Sequence, residues 1–153
     1  MRMAMALVLF GSVTAGSQEQ AALATLLGVN DILVRSAHEG LTHSALGRRI
    51  ESRLRSDGLF AERAGAKCGR LYVEVIRLGA AGFANAAYEV RISLEEPVTL
   101  DRSPGVTAHA VTWRESRRVG DFNAVVAADA LIAAVDAQLD SFVHSVRGER
   151  NPR

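Results

Sequence analysis

The sequence predicts an α+β fold, a two-layer α/β sandwich of order β-α-β-β-β-α. Its mainly antiparallel sheet is covered on one face by two helices. Three observations carry this. Leu46, Ile50 and Leu54 recur at four-residue spacing between a capping threonine and a glycine stop. Three segments between Arg70 and Arg118 alternate apolar and polar residues, with glycine- and proline-bearing breaks between them. Val125, Ala128, Ile132, Val135, Leu139, Phe142 and Val146 then follow spacings of three and four. Helices with one apolar stripe, and a sheet with one apolar face, bury those surfaces against each other.

The bulk properties agree with a single packed domain over 30–148. The chain has 153 residues, 48% hydrophobic and 23% charged, so it can fill a core and is not disordered as a whole. Eighteen basic and seventeen acidic residues leave a net charge of +1, which excludes a nucleic-acid binder that works through many phosphate contacts. One cysteine, Cys68, excludes an internal disulfide framework and a cysteine-rich metal knuckle.

Residues 1–17, MRMAMALVLFGSVTAGS, have the layout of a secretory signal peptide. Arg2 precedes an apolar run from Met3 to Phe10, and Val13 and Ala15 sit where cleavage after Ala15 requires small side chains. The run is shorter than the about 20 residues a membrane-spanning helix needs. The competing assignment is a buried N-terminal strand or helix of a cytosolic protein. The first assignment implies a periplasmic or secreted protein with no transmembrane helix after cleavage. No cysteine lies near that site for lipid attachment. Residues 18–29 read as an N-terminal arm and 149–153 as a tail.

The first strand is expected over Asp31–His38, with Ile32 and Val34 on one face. In the helix that follows, Thr42 is the N-cap and Leu41 and Leu46 form a hydrophobic staple. Gly58 supplies the left-handed stop, and Leu59 folds back on Leu54. Residues 61–69 read as a loop. Arg70–Leu78 puts Leu71, Val73 and Val75 on one face and Tyr72, Glu74 and Ile76 on the other. A turn over Gly79–Gly82 leads into a strand from Phe83 to Leu94. A register setting Leu78 against Phe83 pairs Val75 with Ala86, Val73 with Tyr88 and Leu71 with Val90. Pro97 marks a bulge or an edge. Ser103-Pro104-Gly105 is read as the next turn, and Val106–Arg118 as the last strand. Leu94 is then expected against Trp113 and Val98 against His109, with one apolar face through all three strands. The closing helix is placed at about Phe122–Arg147. Its stripe could also serve a coiled coil; the sheet's need for a cover favours packing there, with Ile132 at the centre.

Catalytic constellations are scarce. His38 and His43 are five residues apart, which points them about 140° from each other on a helix and spoils a zinc-protease spacing; both read as solvated loop histidines. His109 is expected in or beside the core. Glu95 and Glu96, adjacent on a strand, face opposite ways and cannot share a proton. No serine stands in a nucleophile elbow, and the glycines at 79 and 82 join strands instead of opening a helix. Cys68, beside Lys67 and Arg70, is read as an ordinary thiol, with a small hydrolase or thiol enzyme using Cys68 and a histidine brought close by the fold as the alternative. No catalytic residue, metal site or cofactor is assigned.

Binding surfaces are better represented. Arg48, Arg49, Arg53 and Arg55 crowd the first helix, and Arg114, Arg117 and Arg118 end the last strand. They read either as a patch for anionic lipid, glycan or an acidic partner, or as a solvated face pairing with Asp129, Asp136 and Asp140. Tyr72 and Ile76 should lie on the outer sheet face among Glu89, Arg91, Ser93 and Arg114. That mixture fits a docking partner or a homodimer there. The binding candidates are Arg48, Arg53, Tyr72, Ile76, Arg91 and Arg114.

The segments LTHSALGRRIESRLRSDGL, LYVEVIRL and AYEVRISLEEPVTLDRSPGVTAHAVTW, with the closing helix, resemble a family of small exported bacterial proteins without assigned activity. The resemblance covers Gly28 to Pro152 and is strongest at Tyr88–Leu100 and Thr112-Trp113. The helix–strands–helix plan also resembles, more loosely, periplasmic modules of lipopolysaccharide-assembly and lipid-transport auxiliary lipoproteins. Those resemblances imply a non-enzymatic envelope-binding or assembly module and bring no catalytic residues. This chain departs from the lipoproteins in lacking their lipobox cysteine.

Overall fold

Four strands form one sheet in the order β1-β2-β3-β4, built from β1 (Gly28–Ser36), β2 (Cys68–Leu78), β3 (Ala87–Leu100) and β4 (Ser103–Val119). Two helices, α1 (His43–Ser56) and α2 (Ala128–Arg150), complete the expected β-α-β-β-β-α order. The computed structural model describes residues 28–61, 68–80, 85–100 and 102–150. The segment read as a signal peptide, and most of that read as an arm, lie outside them.

β1 runs parallel to β2, because α1 carries the chain back across the sheet; the other pairs are antiparallel. β1 begins three residues earlier than expected and stops at Ser36, short of His38. Val29, assigned to the arm, is fully buried, and its N–H and carbonyl bond to Leu59 and Ala61. Ile32 and Val34 pack against the core as anticipated.

In α1 the local chemistry works as read. Thr42 Oγ1 accepts from the Ala45 N–H, and Leu46, Ile50 and Leu54 are buried. At the far end Leu59 N donates to Leu54 O at 2.8 Å and Gly58 N to Arg55 O at 3.1 Å, with Gly58 at φ +69°. This is the Schellman stop, which needs a residue tolerant of positive φ.

The inward faces of β2 and β3 are also as expected, with Leu71, Val73, Val75, Tyr88, Val90, Ile92 and Leu94 all buried. Their register is not. Leu71 opposes Leu94, Val73 opposes Ile92 and Leu78 opposes Ala87, a slip of four residues from the tight-turn pairing. An even slip leaves every side chain on its own face, so alternation alone could not choose between the two. The turn expected over 79–82 lies partly outside the described residues.

Leu94 does face Trp113, but a bulge follows at once. Glu95 pairs with Val111, leaving Thr112 as the extra residue. Val98 therefore pairs with Ala108, and His109 faces Pro97. The inserted residue turns Val111 and His109 to the outer face, where Val111 is 45% exposed and His109 is exposed. The expected apolar face through all three strands thus ends at Trp113. Beyond Glu95, β3 has only β4 beside it, which is the edge position Pro97 requires. The ribbon closes around Leu100–Ser103; Gly105, at φ +98°, lies in a second irregularity inside β4 and not in the turn.

α2 starts at Ala128, six residues later than expected. Gly120 at φ +74° turns the chain into a loop in which Phe122 and Val125 are exposed. Leu131, Val135, Leu139, Phe142 and Val146 are fully buried, whereas Ile132, expected at the centre, is half-buried on the flank. α1 packs on β1, and α2 on β3 and β4. Arg49 meets Asp136 and Arg53 meets Asp140, each at 2.6 Å, so the two helices run parallel, side by side. His38, expected to be solvated, is half-buried: its Nδ1 accepts from Gly40 N–H, which leaves Nε2 as the donor to Val126 O at 2.9 Å. It ties the loop before α1 to the loop before α2, edge-on to Tyr88.

Candidate functional site

Both helices lie on the same sheet face, so the opposite face has no second layer among the described residues. Strand alternation and register arrange its side chains in rows across the sheet. One row is Asp31, Arg70, Glu95 and Val111; the next is Leu33, Tyr72, Ser93 and Arg114. A third is Arg35, Glu74, Arg91 and Ser116, and a fourth Ile76, Glu89 and Arg118. In-plane ion pairs hold many of the charges. Arg70 Nε lies 2.7 Å from Asp31, and Arg91 lies 2.9 Å from Glu89 and 3.8 Å from Glu74. Tyr72 and Ile76 are half-buried by these long neighbours, Ser93 is buried, and Leu33 at the β1 edge is 41% exposed.

The six binding candidates therefore fall in two places. Tyr72, Ile76, Arg91 and Arg114 share the open face. Arg48 and Arg53 lie on α1, in the other layer. Arg53 bonds Asp57 and Asp140, and Arg49 bonds Asp136, so much of the helical arginine cluster is engaged in ion pairs. Arg48 is exposed.

At one end of the open face, sequence reasoning missed a concavity of about 330 Å³ lined by Asn30, Cys68, Arg70, Glu95, Pro97, Thr107 and His109. It forms because β2 begins at Cys68 while the β3–β4 ribbon runs on past it. Cys68, expected in a loop, instead opens β2 and pairs with Gly28. His109 reaches the concavity only because of the Thr112 bulge. The site thus gathers a thiol, an imidazole, a carboxylate and a guanidinium around one concavity. Among the described residues, no three histidine, cysteine, aspartate or glutamate side chains are grouped to hold a metal ion.

On the covered side of the same bulge, Glu96 is only 5% exposed and accepts a hydrogen bond from Thr112 Oγ1. Burial raises its pKa above the ordinary carboxylate value; the Thr112 hydroxyl opposes this more weakly. Glu95 and Glu96 point to opposite faces, as alternation requires. No described helix is long and apolar enough to cross a membrane.

The α+β sheet with one covered face is the class these features define. No protein-family model and no curated protein matches the sequence. Among solved structures, the chain is similar to an uncharacterized protein at 10% identity and TM-score 0.35, covering 84% of this chain and 93% of that one. It is similar to a PelC dodecamer from Paraburkholderia phytofirmans at 13% identity and TM-score 0.34, covering 84% and 92%. A third is the rare lipoprotein B from Shewanella oneidensis, at 15% identity and TM-score 0.29, covering 78% and 88%.

Proposed function

We propose that this chain is a non-enzymatic, exported envelope module, periplasmic or secreted, that binds or assembles through its uncovered sheet face. The observation that carries the reading is that face itself. Tyr72, Ile76 and Leu33 sit within ordered rows of paired charge, and an aromatic or aliphatic centre with a polar surround is how protein docking surfaces are composed. An envelope protein, or an anionic lipid or glycan drawn by Arg114 and Arg118, is the class of partner such a surface takes. With Arg53 engaged by two aspartates, Arg48 carries whatever the helical layer adds.

The test compares wild-type chain with Tyr72→Ser and Arg114→Ser for retention on phosphatidylglycerol vesicles, on glycan arrays and on envelope extracts. Retention that falls with either substitution supports the reading; retention blind to both, or none at all, retires it.

A second reading, a small hydrolase or thiol enzyme, is favoured by one observation: Cys68 and His109 line the same concavity. Thiol-reagent labelling of Cys68 across pH discriminates, because a thiolate stabilised by an imidazolium titrates well below an ordinary thiol. A titration near the ordinary thiol value of about 8.5 that His109→Ala leaves unmoved ends the enzyme reading.

A further inference from the structure

We infer that the occupant of the open face is a second copy of this chain, docked face to face about a two-fold axis along the row Leu33–Tyr72–Ser93. The inference rests on the reading of that face as a docking surface and names what docks there.

The signs of the charges lead to it. Across β1, β2 and β3 one row reads Asp31, Arg70, Glu95, and the charged row on the other side of Tyr72 reads Arg35, Glu74, Arg91. Signs alternate along each row and invert between the two. The uncharged row Leu33, Tyr72, Ser93 lies between them. A two-fold axis along that middle row lays each charged row of one copy on the opposite row of the other. Asp31 then meets Arg35, Arg70 meets Glu74 and Glu95 meets Arg91, and each contact occurs twice because an isologous interface repeats its pairs. On the axis, Tyr72 meets Tyr72 and, at the β1 edge, Leu33 meets Leu33, so the apolar groups line the axis and the charged rows flank them on either side.

The in-plane pairs at Arg70–Asp31 and Arg91–Glu89 already hold the side chains in position, which reduces the ordering cost of association. Among the described residues of these three rows, only Arg114 opposes the arrangement: at the end of the middle row it meets its own copy, like charge on like charge, at the rim.

Size sets the strength. Rows lie about 6.7 Å apart and strands about 4.8 Å apart, so the three opposed rows across four strands give a footprint of roughly 390 Å² per copy. That is below the roughly 800 Å² per partner of a standard stable interface, and charges that lose water return little net energy. Micromolar association is the consequence, with the ion pairs fixing register more than affinity.

Sedimentation velocity of the full chain from about 5 to about 500 μM brackets that range. The expected result is concentration-dependent dimer. Leu33→Asp and Glu74→Arg should each weaken it about tenfold or more, since one sets aspartate on aspartate at the axis and the other sets arginine on arginine. Arg114→Ser should tighten it a few-fold, and Asp129→Arg on the helical layer should leave it unchanged. Leu33 is partly exposed on an edge strand, so its variant keeps the test decisive should Glu74→Arg fail to fold. A monomer at every concentration, or a dimer indifferent to Leu33 and Glu74, overturns the inference. A monomer that still binds vesicles or envelope components through Tyr72 overturns the pairing alone. A Leu33-dependent dimer that binds none of them sustains the pairing and removes the envelope-binding reading.

Discussion

Replacing Gln138 by methionine should stabilise the protein. Gln138 is buried on the core side of α2, and its Nε2 donates to Val90 O at 3.0 Å, while Oε1 has no hydrogen-bond partner among the described residues. A neutral hydrogen bond contributes about 0.5–1.5 kcal/mol net, whereas a buried carbonyl oxygen left without a donor costs about 1–3 kcal/mol. Methionine keeps the unbranched shape, is only slightly larger, and removes both groups. Val90 sits between β2 and β4, so its carbonyl keeps a ladder donor once the amide is gone. The balance favours the variant by about 1 kcal/mol, which for a domain of this size raises Tm by roughly 3–6 °C. Urea denaturation at equal slope, with calorimetry, measures it. Gln138→Ala is the contrast, because it opens a cavity against β3 and should cost about 2 kcal/mol or more. A loss of about 1 kcal/mol or more in the methionine variant would refute the reasoning, because it would mean the Oε1 atom is satisfied in solution.

Two glycines at positive φ separate conformational strain from collision. Gly58→Ala, with open space around the new methyl, should lose about 1–2 kcal/mol; Gly120→Ala, whose methyl would collide with Val126 Cγ2, should lose about 2–4 kcal/mol, and paired chemical melts read the difference. Glu96→Gln should act according to pH. A carboxyl with a raised folded pKa contributes stability below its unfolded pKa and loses it as pH rises through the folded value. The glutamine variant should therefore gain on wild type near neutrality, with the gain shrinking as pH falls toward about 4, the ordinary glutamate range. A gain that grows on acidification would reverse the sign assigned to burial.

What the sequence reveals here follows the range of each signal. α1 was legible in full because Thr42, the Leu46–Ile50–Leu54 stripe, Gly58 and Leu59 act within a few residues of one another. The sheet faces were legible, but the β2–β3 register was not, since period-two alternation reads the same after any even slip. Thr112 carries no mark of a bulge, and the extra residue it inserts decides where Val111 and His109 point. In α2, spacings of three and four fit both the expected stripe through Ile132 and the buried one through Leu131. Both belong to one broad face, and the exposed Val125 falls into the pattern because Gly120 ends the strand without ending the periodicity. The open face was legible through Tyr72, Ile76, Arg91 and Arg114. The concavity was not: it assembles Asn30, Cys68 and His109 from three strands whose relative positions depend on the parallel β1 and the bulge.

β4 bounds the sheet, and its outer rim of amide and carbonyl groups is unevenly guarded. Arg114, Glu115, Arg117 and Arg118 crowd the half near the helices, while Val106, Thr107, Ala108, Ala110 and Val111 leave the ribbon half without a fixed charge. Foreign backbone can add a rung there most readily. Concentrated stocks should therefore polymerise from the ribbon end first. Val106→Lys or Val111→Lys would serve as a gatekeeper at little cost to the packed interior, since both side chains already stand in solvent.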